Sequence, residues 1–258
     1  MMATSGREFE RLLELVARLR AEDGCPWDRE QTPATIKRYL IEEVYEVVDA
    51  VAHNSADQVA DELGDLIFMT IFLAHLYGEQ DQFQMDQVLR KVADKMVRRH
   101  PHVFGKRQVN SAKQVKLNWE EIKQQERAQK PTTNLLSEVP RSLPALMRSY
   151  RMLARLGRTL RRPFCRGILL SELQQSFSTL LQQESEEERP IDASVLGRLL
   201  LLLVALALPH GIHAEEALTE TLERFSQQIE RVEAELLENE KSWQDLLEPE
   251  ELSLWKGL

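Results

Sequence analysis

Residues 32–52 read TPATIKRYLIEEVYEVVDAVA, and this stretch predicts a long amphipathic α-helix. Thr32 followed by Pro33 is typical of a helix N-cap with proline in the first turn. Apolar side chains recur at helical spacing along one stripe, at Ile36, Leu40, Val44, Val47 and Val51. Such a stripe faces a protein core, so the stretch indicates a fold built by packing helices.

Helical patterns of the same kind cover most of the chain. They span residues 9–19, 55–78, 85–99 and 111–130 in the first half, and 141–160, 170–184, 193–208 and 214–246 in the second. Two of them open on a capping box, in which a serine precedes a glutamine by three residues. No segment alternates apolar and polar residues for long enough to predict a sheet. The sequence therefore predicts an all-α protein.

One short segment interrupts the helical patterns near the middle of the chain. Lys130-Pro131-Thr132-Thr133-Asn134 joins a proline to small polar residues, a combination that favours a loop. We therefore expect a domain boundary here, with one domain spanning residues 1–130 and the other residues 131–258.

The charge of the chain limits the kinds of partner that it can bind. The 258 residues carry 33 basic and 42 acidic side chains, which gives a net charge of −9, and they contain no basic run. Binding to the phosphate backbone of a nucleic acid needs clustered positive charge, so we expect no nucleic-acid partner. Cys25 and Cys165 lie far apart, without the spacing of a metal-binding pair.

The N-terminus and the apolar segments bear on where the protein resides. The start, MMATSGREFE, lacks the apolar region of a signal peptide. The longest apolar run, Leu199 to Leu208, is ten residues long, half of the roughly 20 residues that span a bilayer. We therefore expect a buried helix here, no membrane partner and a cytoplasmic protein.

Four carboxylates converge when the predicted helices are built at 100° per residue. Glu43 and Glu46 lie about 60° and 120° from the apolar stripe of their helix. Glu62 and Asp65 lie about 80° and 140° from the stripe of the next helix, in the same sense, whereas Glu42 points away. The connecting loop is short, so the helices pack antiparallel and the two acidic edges meet.

Such a cluster of carboxylates repels itself unless a cation lies among them. Oxygen ligands suit Mg²⁺ or Mn²⁺, and an ion of this kind commonly also binds substrate phosphates. Acidic residues three positions apart also line solvated helix flanks. The spacing alone leaves both interpretations open.

Two basic residues lie near the apolar face of the helix predicted at 85–99. Lys95 lies about 80° and Arg99 about 40° from the centre of its stripe. An arginine so close to an apolar face usually has an anionic partner or extends its head group to solvent. That partner can be a structural carboxylate or a phosphate, which a guanidinium binds through two hydrogen bonds.

The motifs of the first half resemble those of the MazG family. Glu42-Glu43-Val44-Tyr45-Glu46, followed by Glu62-Leu63-Gly64-Asp65, is similar to the MazG signature of two glutamates, a third, and then Glu-x-x-Asp. Residues 24–31, 95–104 and 118–123 also resemble MazG blocks, and the likeness covers residues 8 to 130. Within the first block we expect Trp27 to pack the loop before the second helix.

The resemblance implies a MazG-like helical bundle, usually dimeric, that converts a nucleoside triphosphate and water to a nucleoside monophosphate and pyrophosphate. In similar proteins the positions of Glu43, Glu46, Glu62 and Asp65 hold Mg²⁺. Lys95 and Arg99 match phosphate contacts, and Trp119 matches a residue that lies against the nucleoside. Lys95 and Arg99 would stabilise charge on the leaving group, and Glu42 or Glu46 would orient or deprotonate the attacking water.

Longer MazG proteins carry two such domains in tandem, and residues 140–258 resemble the remains of a second one. Val195 and Arg198 stand where the Glu-x-x-Asp carboxylates are expected, and residues 173–177 replace the glutamate pair. We therefore expect this half to serve stability or assembly and to hold no second active site. Its apolar helix needs a partner, which predicts a homodimer.

Two alternatives stay open at the level of sequence. One is a MazG-like helical dimer that binds nucleotides or a protein partner without turnover. The other is a narrow pyrophosphatase of the dUTPase or dCTPase kind, since the sequence does not specify the base or the sugar. The intact set of four carboxylates favours catalysis, because a binding module has no need to keep them clustered.

Overall fold

The computed structural model describes residues 2–53, 55–128, 134–184, 192–245 and 254–255. The chain divides into two compact units, residues 1–126 and 127–258. Within the described residues all regular secondary structure is helical and no strand forms, which confirms the all-α prediction.

The first unit is built from two long central helices with shorter helices around them. Its helices are α1 (Met2–Arg20), α2 (Pro26–Glu30), α3 (Pro33–Ala52), α4 (Ala56–Gly78), α5 (Met85–Arg99), α6 (Pro101–Phe104) and α7 (Ala112–Ala128). The sequence patterns predicted five of these. They missed α2 and α6, because a helix of four or five residues is too short to show an apolar period.

Capping residues set the starts of the two central helices. The Thr32 hydroxyl accepts a hydrogen bond from the Thr35 amide at 3.3 Å, and the Thr35 hydroxyl accepts one from the Thr32 amide at 2.9 Å. The Ser55 hydroxyl accepts a hydrogen bond from the Gln58 amide at 3.4 Å. These side chains satisfy amides that have no partner within a first helical turn, so α3 and α4 begin where the sequence predicts.

The core of the first unit lies where α1 crosses the α3–α4 pair. Its fully buried side chains come from α1, α3 and α4, namely Val16, Ile36, Ile71, Phe72 and Leu76. Ile36 lies sixteen residues before the end of α3, and Phe72 lies sixteen residues after the start of α4. The buried core is therefore at the end of the hairpin that is distant from its loop.

The α3 stripe that was expected to face the core is only partly covered. Ile36 is 1% exposed, but Val44 is 45% and Val51 56% exposed. The prediction is wrong for these two valines, because α1 packs near Ile36 and leaves the loop end of the hairpin open. Ile41, Tyr45 and Val48 are exposed on the same helix.

The second unit also packs around an apolar helix. It contains α8 (Ala145–Leu160), α9 (Arg166–Glu184), α10 (Ala193–Ala207) and α11 (Ala214–Glu238), with 3-10 turns at Leu208–His210 and Trp243–Asp245. Helix α10 packs against α8, α9 and α11.

Helix α11 ends eight residues earlier than the sequence pattern predicts. Glu240 adopts a left-handed backbone conformation, with φ of 55°, and the Lys241 amide donates a hydrogen bond to the Leu236 carbonyl at 2.8 Å. This is a Schellman-type ending without glycine. The sequence carries no signal for it, because the left-handed position is occupied by a glutamate.

Helix α10 was expected to be buried. The segment Ala193–His210 is, among the described residues, the one helical segment whose length and composition would allow it to cross a membrane, and only 17% of it is buried. Leu199, Val204 and Ala205 are buried, whereas Leu203 is half exposed. The expectation of a buried helix is therefore wrong for most of its surface.

Candidate metal and nucleotide site

Three of the four predicted metal ligands meet between α3 and α4. Glu43, Glu62 and Asp65 each offer a carboxylate oxygen, and these oxygens all lie within 4.8 Å of one another. Two oxygens on opposite sides of one Mg²⁺ or Ca²⁺ ion lie about 4 to 5 Å apart. The spacing therefore fits one hard divalent cation.

The electrostatics of this cluster are those of crowded negative charge. Burial raises the pKa of Glu43, and the charges of Glu46, Asp65 and Glu62 raise it further. Burial likewise raises the pKa of Glu62, to which the charges of Glu46, Asp65 and Asp61 contribute. Glu46 is thus close enough to act on both, so the four carboxylates chosen from the sequence share one neighbourhood. A cation there would relieve their mutual repulsion.

Glu42 lies apart from this group. Its side chain is exposed on α3, and its charge is not among the causes that raise the pKa values of Glu43 and Glu62. Its position agrees with the orientation expected from helical geometry.

Arg99 has a carboxylate partner within the first unit. Its Nε and Nη2 atoms donate hydrogen bonds to Glu126 at 3.1 and 2.6 Å, and Arg98 Nε donates one to the same side chain at 2.8 Å. Hydrogen bonding from Arg99 lowers the pKa of Glu126 below its ordinary value. Of the two kinds of anionic partner that the sequence left open, this structure contains the carboxylate.

Lys95 differs from Arg99 in its surroundings. Its side chain is half-buried on α5, and within the described parts of the chain no hydrogen bond or ion pair involves its ammonium group. A half-buried cation with this freedom is able to meet an anion that arrives from solution.

Trp119 on α7 is surrounded by cationic and aromatic side chains. Lys123 Nζ lies 4.2 Å from the ring centroid, the Arg99 guanidinium carbon 5.7 Å, and the His100 ring 5.8 Å. The indole Nε1 is buried and has no hydrogen-bond partner among the described residues.

Lys123 and Glu126 also lie beside this site, although neither was predicted from the sequence to do so. A signal was present, since positions 119, 123 and 126 follow the spacing that places residues on one face of a helix. Helix α7 therefore directs Trp119, Lys123 and Glu126 toward the end of α5.

Comparison with known proteins identifies the family of this chain. A family model described as the MazG nucleotide pyrophosphohydrolase domain matches residues 31–104. The chain is 37% identical over 231 residues to the nucleoside triphosphate pyrophosphohydrolase of Escherichia coli K12, and the match covers 88% of this chain and 87% of the relative. The chain belongs to the MazG family.

Two further MazG relatives come from Thermotoga maritima. One is described as nucleoside triphosphate pyrophosphohydrolase/pyrophosphatase MazG and is 32% identical over 242 residues, covering 93% of this chain and 90% of the relative. The other is a crystal structure of a mazG-related protein, with 29% identity and a TM-score of 0.40, covering 45% of this chain and 98% of that protein.

The MazG match on residues 31–104 contains all four carboxylates together with Lys95 and Arg99. It does not extend to the second unit. There Arg198, at the position expected for the Asp of the MazG motif, forms an ion pair with Glu172 of α9. Among the described residues, no second group of metal-ligating side chains accompanies the one on α3 and α4.

Proposed function

We propose that this protein hydrolyses nucleoside triphosphates to nucleoside monophosphates and pyrophosphate with the help of a divalent cation bound by the α3–α4 hairpin. The observation that carries the proposal is the approach of three carboxylates to within 4.8 Å of one another inside a MazG domain. The names of the relatives from two bacteria support the same reaction.

The residues present fit Mg²⁺ or Mn²⁺. Glu43, Glu46, Glu62 and Asp65 would hold the ion, since they supply oxygen donors only and crowd negative charge at one place. When bound, the cation supplies charge neutralisation of the triphosphate and polarisation of the attacked phosphorus.

Lys95 and Arg99 would bind the phosphate oxygens of the substrate. Helices α4 and α5 pack together, and the six residues between them favour an antiparallel pair. Gly64 lies fourteen residues before the end of α4, and Arg99 lies fourteen residues after the start of α5. Arg99 is therefore level with the Glu62–Asp65 segment, where it and Lys95 would stabilise charge on the departing pyrophosphate.

Glu46 is the better candidate for the general base. In the reaction a water oxygen attacks one phosphorus, the bond to the leaving oxygen breaks, and a carboxylate accepts the water proton. A general base must lie within hydrogen-bonding reach of that water. Glu46 lies near Glu43 and Glu62, whereas Glu42 is exposed away from them. We therefore prefer Glu46.

Trp119 is the proposed nucleoside contact on α7. The side chains of Lys123 and Arg99 already lie against its ring. A substrate whose phosphates reach Arg99 would bring its sugar close to Trp119, so we assign this tryptophan to the sugar end of the nucleoside.

A homodimer would cover the open face of the catalytic hairpin. Five apolar side chains of α3 are exposed, at Ile41, Val44, Tyr45, Val48 and Val51, and Leu63 and Ile67 of α4 are exposed as well. A continuous apolar face of this kind on a folded unit marks a protein interface, and closed two-fold pairing is the most common arrangement. We propose a second copy of this chain as the partner.

We also propose that protein, rather than lipid, covers α10. Arg198 lies within the apolar segment and pairs with Glu172 of α9, and charged side chains are costly at the centre of a bilayer. A cytoplasmic protein without a membrane or nucleic-acid partner fits these charges and the net charge of −9.

The test is an assay of product formation against a panel of ribo- and deoxyribonucleoside triphosphates, with Mg²⁺, with Mn²⁺ and with a chelator. We expect monophosphate and pyrophosphate as the first products, and no turnover with the chelator. Glu43→Gln serves as the inactive control. Orthophosphate and nucleoside diphosphate as first products, or full activity with the chelator, would show that the proposal is wrong.

A further inference from the structure

We propose that Trp27, supported by Tyr39, is the aromatic surface on which the base of the substrate stacks. This inference rests on the proposed function, and it assigns the base-recognition part of the same site. The Trp27 side chain is 52% exposed. Its ring lies 5.9 Å from the ring of Tyr39, in an edge-on arrangement with an angle of 62° between the planes. About half of the Trp27 side chain therefore remains open to a second flat ring.

Trp27 is exposed although the helix that carries it is firmly held. Arg20 of α1 donates hydrogen bonds from Nε and Nη2 to the carboxylate of Glu79, both at 2.7 Å, and from Nη1 to the carbonyl oxygens of Asp28 and Gln31. Gln31 Nε2 in turn donates to the Trp27 carbonyl oxygen at 3.0 Å. These bonds tie α2 to α1 and to the end of α4.

This support removes part of the cost of binding. The hydrogen bonds hold the backbone at Trp27, and the ring already packs against Tyr39. The side chain therefore loses less conformational freedom when a ligand stacks on it than a ring on a mobile loop would. An exposed indole offers a large apolar surface, whose burial by a base is favourable.

Tyr39 connects this aromatic pair to the carboxylates. It precedes Glu43 by four residues and Glu46 by seven on the same helix. At 100° per residue, Tyr39 lies about 40° from Glu43 and about 20° from Glu46 around the helix. It is therefore on the acidic edge of α3, about 6 Å from Glu43 along the axis. A nucleotide whose phosphates lie at the carboxylates has the Trp27–Tyr39 pair beside it, one helical turn away.

Trp119 is less suited to stacking with the base. Lys123 Nζ lies 4.2 Å from its ring centroid, and the Arg99 guanidinium and the His100 ring are also close. These groups would have to move before a base could stack there. Trp27 requires no such displacement. Stacking uses the flat face that all bases share, so this contact favours binding of many bases with little discrimination.

The test compares two ligands that differ in the base. One is the Mg²⁺ complex of the α,β-methylene analogue of whichever nucleotide the wild-type protein hydrolyses fastest, and the other is Mg²⁺-tripolyphosphate. Binding is measured by calorimetry for the wild type, Trp27→Ala, Trp27→Phe and Phe104→Ala. Phe104 is a matched control, because it is an aromatic residue of the same unit that is 62% exposed.

We expect Trp27→Ala to weaken binding of the nucleotide analogue about 10-fold, the typical effect of losing one stacked aromatic ring. Binding of tripolyphosphate should not change. Trp27→Phe should recover most of the loss, Phe104→Ala should bind both ligands like the wild type, and melting temperatures should verify that all variants are folded.

Unchanged binding of the nucleotide analogue to Trp27→Ala would overturn the proposal. An equal loss for both ligands would overturn it too, since that result would assign Trp27 a structural role only. A wild-type protein that hydrolyses no nucleotide would instead refute the proposed function, and this outcome is known before the variants are measured.

Discussion

Arg99 donates two hydrogen bonds to Glu126, at 3.1 and 2.6 Å. The same arginine is the proposed phosphate ligand, so substrate and Glu126 compete for one guanidinium. Glu126 also receives a hydrogen bond from Arg98, and it thereby connects α7 to the end of α5. If Arg99 binds the substrate phosphates, the ion pair that stabilises the free protein would also oppose substrate binding.

Replacing Glu126 by Gln should therefore lower KM while making the protein less stable. The variant removes the charge that neutralises Arg99, and we expect a loss of about 1 kcal/mol in the free energy of unfolding. Glu121→Gln is the matched control, because it disrupts the more exposed pair with Arg107, worth about 0.5 kcal/mol. Steady-state kinetics and urea unfolding are the measurements. An unchanged KM in Glu126→Gln would show that Arg99 does not bind the substrate phosphates.

The carboxylates of the proposed metal site should be essential for turnover but not for folding. We expect Glu43→Gln and Asp65→Asn to lower kcat more than about 100-fold, since loss of a metal ligand exceeds the effect of losing an outer partner. In metal-free buffer their melting temperatures should equal or exceed that of the wild type, because charge crowding is relieved. Glu42→Gln should have a milder effect. If Asp65→Asn were as active as the wild type, Asp65 would not be a ligand of the proposed metal.

The stability of the metal-free protein should depend on pH with a defined sign. The pKa values of Glu43 and Glu62 are raised above 4.5 in the folded state, so the folded protein retains protons that the unfolded chain releases. Their contribution to stability is complete below pH 4.5 and is lost as the pH rises through the folded pKa values.

Comparison with Glu43→Gln isolates this effect, because groups with lowered pKa values, such as Glu79 and Glu126, occur in both proteins. We expect the stability of the wild type to fall relative to the variant between pH 4.5 and neutrality in a chelator. Saturating Mg²⁺ should reverse the trend, since deprotonated carboxylates bind the ion. If the stability of the wild type and of Glu43→Gln changed with pH in parallel in the chelator, the proposed crowding of charge around Glu43 would be wrong.

The sequence was sufficient to predict those parts of the molecule that depend on local chemistry. Thr32 and Ser55 cap the helices that carry the site, and helical geometry brought Glu43, Glu62 and Asp65 to one edge. The sequence was insufficient where the burial or the ion pairing of a side chain depends on how other helices pack against it. Val51 belongs to the same apolar stripe as Ile36, yet only Ile36 is covered, because the position of α1 is not encoded in the periodicity of α3. The spacing of Trp119, Lys123 and Glu126 places them on one face of α7, but it does not indicate that Arg99, 27 positions before Glu126, is the partner of that glutamate.

The second unit should contribute no catalysis of its own. In a variant that replaces Glu43, Glu46, Glu62 and Asp65 by their amides, the second unit retains its Glu172–Arg198 ion pair and lacks carboxylates at the corresponding motif positions. We expect no Mg²⁺-dependent turnover and no Mg²⁺ binding by calorimetry. Any remaining Mg²⁺-dependent hydrolysis would locate a second active site in residues 127–258.

The open face of α3 should be the dimer contact. Val48 is 57% exposed, so Val48→Asp should change the stability of the isolated chain by no more than about 0.5 kcal/mol but place a charge in the proposed interface. Light scattering after size-exclusion chromatography should show a dimer for the wild type and a monomer for the variant. Leu15→Asp on α1, at a residue 42% exposed, should remain dimeric. If the Val48→Asp variant were still a dimer, the interface would not lie on the exposed face of α3.

The Glu172–Arg198 pair means that the α9–α10 and α3–α4 hairpins differ in the source of the cation that balances their carboxylates. The guanidinium of Arg198 is a covalent part of the chain and keeps its charge throughout the physiological pH range. Unlike a bound metal ion, it cannot be removed by a chelator. The charge balance of the α9–α10 hairpin is therefore independent of the ions in the surrounding solution. At the proposed metal site on α3 and α4, charge balance would instead depend on an ion taken up from solution. A cell depleted of magnesium would then lose the activity of the first unit while the second kept its native packing.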